Sequence, residues 1–195
     1  MQTLTSKCIS LSATQWLTNK VHLRSLRAIV RATLATSPPS MAGTFTAAAR
    51  HRLLQTSAVA APHDGDLFGT RADGLAVPTP ELRSVLVRAR ALYGAGLGLA
   101  SLKVLASVVR ATKGRRWIEN GEMENTFSDI DADISQALQS TREELDGGRI
   151  SDIAKARETL YELRSTIQDS QREVKGWGGV FPFERASATL DFWKL

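Results

Sequence analysis

Residues 91–109 (ALYGAGLGLASLKVLASVV) stand between Arg90 and Arg110 with Lys103 as their only charge. Nineteen residues this apolar must leave water, in a bilayer or in a protein interior, and every other choice the chain makes follows from that one. As a helix rising 1.5 Å per residue they reach roughly 28 Å, close to the ~30 Å hydrocarbon core of a membrane. Arg83, Arg88 and Arg90 fence one end; Arg110, Lys113, Arg115, Arg116 and Trp117 fence the other, as at the two interfaces of a span. Lys103 costs about 2.5–3.5 kcal/mol at a midplane, but it sits off centre, where its stem can reach the interface. Gly94, Gly96 and Gly98 each weaken a helix in water by about 1 kcal/mol relative to Ala. In lipid, Gly94, Gly98 and Ser101, spaced by four and three, would form a small-residue face for helix packing. A single transmembrane span over 91–109 is the favoured expectation, and a helix buried in a bundle the alternative. Gly-Ala-Gly-Leu-Gly lacks the glycine order, the preceding strand and the later acid of a dinucleotide site.

The flanking signals define a larger all-α arrangement. Residues 62–78 hold Gly, Pro and Asp without periodicity and read as a flexible arm. Thr79 can cap, Pro80 suits the first helical position, and Glu81 suits the positive end of the dipole. One long hydrophobic helix is expected from there to Lys113, stopped by Gly114, within a segment 79–117. Residues 118–127 read as a polar linker. Ser128 then caps a helix to about Leu145, with Phe127, Ile130, Ile134, Leu138, Thr141 and Leu145 as its apolar stripe. Asp146-Gly147-Gly148 is a stop and turn. A second helix runs from Ser151 to Val174. Ile153, Leu160, Ile167 and Val174 recur every seven residues with Ala156 and Leu163 between them, a heptad seam. Joined by a short glycine turn, the two should fold back as an antiparallel helical hairpin over 118–175. Their acids, including Glu143, Glu144 and Glu158, read as solvated faces. Two helices bury too little to stand alone, so the seam requires a third partner.

Residues 176–195 hold five of the twelve aromatics: Trp177, Phe181, Phe183, Phe192 and Trp193. Gly176, Gly178, Gly179 and Pro182 predict an irregular tail up to Ala186. The aromatics are either an exposed docking patch for a partner or a cap on the hairpin's own seam.

Charge divides the chain. Residues 1–63 carry seven of the 25 basic residues and none of the 20 acids, so the net +5 belongs to the front and the remainder is close to neutral. A nucleic-acid surface on the folded part is thereby disfavoured. Ser, Thr, Ala and Arg without acids over 1–61 predict a mitochondrial targeting leader, with a plastid address as the alternative. Residues 21–35 (VHLRSLRAIVRATLA) have the spacing of a basic amphipathic helix. Arg52-Leu53-Leu54-Gln55-Thr56-Ser57 and the small residues after it resemble the mitochondrial two-step processing pattern, which implies a final cut after Ala61. Met41 is a second plausible start with the same mature product.

The lone Cys8 and the three histidines, His22, His51 and His63, lie in the first third. No catalytic residue, metal ligand or cofactor-binding motif stands out, and no small-molecule site is evident. The functional expectation is a non-enzymatic accessory or assembly subunit of a mitochondrial inner-membrane complex, of the respiratory-chain or ATP-synthase kind. Its contacts would be other protein subunits, through the seam and tail, and the bilayer. The alternative is a mitochondrial matrix binding module, ribosome-associated or chaperone-like, in which segment 79–113 packs on the hairpin as a three-helix bundle.

Overall fold

The computed structural model describes residues 23–56, 60 and 67–193. The chain divides into two compact units, Met1–Thr46 and Ala47–Leu195. In the first, helix α1 (Leu23–Thr36) covers most of the stretch predicted as a basic amphipathic helix. It ends just before Pro38, which disfavours a helical residue ahead of it. Helix α2 (Pro39–Gln55) follows, with no buried residue, its first half in this unit and its second half in the next. The expected cut after Ala61 lies outside the described residues.

The described part of the second unit continues with a feature that was expected to be a flexible arm. Strands β1 (Phe68–Thr70) and β2 (Ala76–Pro78) pair antiparallel, Phe68 opposite Pro78. The turn between them closes with Arg71 N–H on the Leu75 carbonyl at 2.8 Å and Leu75 N–H on the Asp73 carboxylate at 3.1 Å, while Gly74 takes φ +81°. Asp-Gly is a turn signal, but strands of three residues are too short to display a two-residue period.

Helix α3 (Pro80–Gly94) starts as expected. The Thr79 hydroxyl accepts from Leu82 N–H at 3.2 Å, with Pro80 in the first turn. It then stops, and here the expected long helix fails. Gly96 adopts φ +74°, its N–H bonds the Tyr93 carbonyl at 3.0 Å, and Leu97 N–H bonds the Leu92 carbonyl at 3.0 Å. This is a left-handed glycine cap, which only a residue without Cβ adopts cheaply. A new helix, α4 (Gly98–Arg110), folds back on α3, and the Ser101 hydroxyl donates to the Ala89 carbonyl at 3.0 Å.

Residues 91–109 therefore make a helix end, a turn and a second helix instead of a span. Among the described residues no helix is long and apolar enough to cross a membrane. The apolarity has another cause. Helix α4 is the central element, packed on α3, on α5 (Glu122–Asp146) and on α6 (Ile153–Trp177). Leu102, Val104, Leu105, Ala106, Val108 and Val109 are all buried, because a helix packed on three others keeps only a narrow solvent-facing strip, where Lys103 and Arg110 lie.

The predicted hairpin arms both exist, but each packs chiefly on α4, which lies where direct contact between them was expected. Helix α5 begins six residues before Ser128 and ends where predicted. α6 is capped by the Asp152 carboxylate, which accepts from Lys155 N–H at 2.9 Å. Both end on left-handed glycines, Gly148 and Gly178, at φ +63° and +78°. The seam residues Ala156, Leu160, Leu163, Ile167 and Val174 are buried as the heptad implied, while Ile153 is exposed. The seam's missing third partner is α4. The tail is not wholly irregular, since α7 (Glu184–Asp191) packs on α5 and α6.

Candidate functional site

Glu144 of α5, which reads as solvated, is internal, and so are Asp131 and Asp133. Helices α4 and α7 begin at Leu97 and Phe183, which offer no capping oxygen. Two α5 carboxylates serve instead. Glu144 accepts from Leu99 N–H at 2.9 Å, and Asp131 accepts from Ala186 N–H at 2.9 Å and Arg185 N–H at 3.3 Å. Each sits at the positive end of a helix whose orphan N–H groups need acceptors. Asp133 ties α3 to α5: both of its oxygens meet Arg90 Nε at 2.9 Å, and one accepts from the Tyr93 hydroxyl at 2.9 Å. Burial, together with that hydrogen bond to Asp133, pushes the Tyr93 phenol up to about 12.

Burial also pushes the Asp131 and Glu144 carboxyls above their usual range, with the backbone donors pulling back only in part. A carboxyl held above its unfolded value binds more protons in the folded chain. The stability it contributes is therefore fully present below the ordinary carboxylate value near 4 and is lost as pH rises through the raised one. Relative to an Asp131→Asn/Glu144→Gln variant, the wild type should gain stability as pH is lowered from 7 toward 4. Thermal unfolding across that window checks this, and a gain in the opposite direction would remove the assignment.

Around the Asp131 end of α5, five elements bring aromatics together. Trp117, which follows α4, lies edge-on to Phe127 of α5 (centroids 4.6 Å) and to Trp177 at the end of α6 (5.0 Å). Phe127 also meets Phe183 at 5.6 Å and Phe68 of β1 at 6.2 Å, and Phe183 meets Phe181 at 5.9 Å. These separations are those of favourable tilted and edge-to-face pairs. Gly179 makes room for one of them: a Cβ there would fall 2.1 Å from the Trp177 ring.

Trp117, Phe127, Trp177 and Phe181 line an open pocket of about 390 Å³ at this junction, within the size range of ligand sites. Residues 178–182 form one side of it. Its charged groups are Glu119, Glu124, Asp131 and Glu184 against Arg185 alone. Asp131 is occupied with α7, and Glu124 accepts from Asn120 N–H. Glu119 and Glu184 are exposed and make no hydrogen bond or ion pair among the described residues. Among those residues no group of three or more His, Cys, Asp and Glu side chains is placed to hold a metal ion.

The residues singled out in the sequence fall into different places. Gly98 is buried, and a Cβ on it would lie 2.3 Å from Thr141 N and 2.7 Å from Ala137 O, so α4 crosses α5 there at backbone contact. Ser101 is buried beside α3. Gly94 faces open space and packs nothing. Of the five tail aromatics, Phe183 and Trp193 are buried in this chain's own core, Trp193 with the Arg142 guanidinium 4.9 Å from its ring. Trp177 and Phe181 line the pocket, and Phe192 is 82 % exposed. The pocket's remaining walls were missed: Trp117 read as a membrane-interface residue and Glu119 and Glu124 as linker polarity. The available signal was the pair Trp117 and Phe127 bracketing that linker. No protein family, curated protein or solved structure matches the chain.

Proposed function

We propose that this chain is a non-enzymatic helical binding module, delivered to mitochondria by its basic leader, that serves there as an accessory or assembly subunit by holding a partner protein. The observation that carries the reading is the aromatic, carboxylate-rimmed pocket where α5, α6 and α7 meet. Stiff aromatic side chains in a concavity are the usual anchors of recognition, and attachment through this pocket needs no membrane span. The absence of His and Cys after residue 63 leaves little of the usual nucleophilic and acid–base repertoire, which favours binding over catalysis. The leader's acid-free composition supports the address.

Organelle extract run on a native gel tests this. The full chain is expected to migrate with a larger assembly. Phe181→Ala, which trims one half-buried pocket wall, should shift it toward the monomer. Migration of the wild type as a monomer would overturn the reading.

A further inference from the structure

We infer that the pocket receives the side chain of an arginine of the partner protein; this rests on the binding-module reading and names what that module grips. Two independent features of the pocket select a planar cation. Its walls include the half-buried rings of Trp177 and Phe181, backed by the buried Trp117 and Phe127, and aromatic rings attract guanidinium or ammonium groups, tryptophan most strongly. Its charges are four carboxylates against Arg185, and two of the four, Glu119 and Glu184, are exposed and in no hydrogen bond or ion pair among the described residues. A cation entering there is attracted by both carboxylates, an apolar group gains nothing from them, and an anion is repelled. Arginine suits the site better than lysine because its planar fork stacks on rings and binds carboxylates through paired N–H groups. The same chain already holds a guanidinium over an indole, Arg142 on Trp193.

The probe is the peptide acetyl-Gly-Gly-Arg-Gly-Gly-amide, titrated into the full chain by calorimetry and by tryptophan emission. A second peptide carries citrulline, which keeps the shape and drops the charge. Arginine-peptide binding is expected to be about tenfold or more tighter than citrulline binding and to weaken with added salt. Glu119→Gln/Glu184→Gln should weaken the arginine peptide by about tenfold. Both positions are exposed, so the fold should hold, and unchanged circular dichroism would verify that. Equal affinity for the two peptides, no arginine-peptide binding, or indifference to the double substitution would each overturn the inference. If the chain still runs in a large assembly while the arginine peptide fails to bind, only this inference falls. If the wild type runs as a monomer, the binding-module reading falls with it.

Discussion

Gly98→Ala is expected to destabilise the second unit by about 3 kcal/mol, the upper end of what overpacking costs. In a domain of this size, that lowers the unfolding midpoint by roughly 6–12 °C. The added methyl would meet backbone atoms of α5, Thr141 N and Ala137 O, and no rotamer change can move a backbone out of the way. Relief requires α4 to lift from α5, which opens the centre of the core. Gly94→Ala is the control. Four residues away, it lies in a helix beside open space, so alanine should stabilise it, by up to about 1 kcal/mol. Denaturant unfolding of the two variants distinguishes the bundle from a membrane helix. A small-residue face in lipid would make both positions sensitive in the same direction. Equal tolerance at Gly98 would mean that the close crossing of α4 and α5 is absent.

Phe127→Ala should cost about 3–5 kcal/mol, the range for deleting a fully buried phenyl ring. Phe127 is 1 % exposed and touches the rings of Phe68, Trp117 and Phe183. It therefore joins the β-hairpin, the segment after α4 and the start of α7 at one point. Phe127→Leu, which keeps most of the volume, should cost no more than about 1.5 kcal/mol. Because Trp117 lies 4.6 Å away, the alanine variant should also shift tryptophan emission to longer wavelength. Calorimetric unfolding and the emission spectrum read the two effects. Loss of stability below about 1 kcal/mol would show that Phe127 is peripheral.

The elements that could be read in advance are those with local causes. The Thr79-Pro80-Glu81 start, the Gly147-Gly148 stop and the heptad seam of α6 depend on neighbours within a few residues, and the structure repeats them. Gly96 was equally local: it is the left-handed residue that ends α3, but its neighbours Gly94 and Gly98 suggested a small-residue face and hid the cap. The hairpin at 68–78 escaped because three-residue strands carry no period. Glu144 looked like surface charge, and nothing marked Asp131 as a cap, because the helix starts they cap lie 45 and 54 residues away along the chain. The pocket was half legible: Trp177 and Phe181 stood out by composition, whereas Trp117 and the carboxylates reach it only through the packing of α5 and α6.

Composition and order alone determined that this chain is helical, that most of residues 91–109 must escape water, and that its net positive charge lies before residue 64. Hydropathy measures the wish to be buried and not what does the burying. The choice between lipid and protein was made by the tertiary structure, where a glycine in the left-handed region splits the segment and α3, α5 and α6 surround its second half. The same packing turned acids that any helix could show to solvent into caps and ties, because the free energy of a carboxylate depends on which N–H groups the fold brings to it.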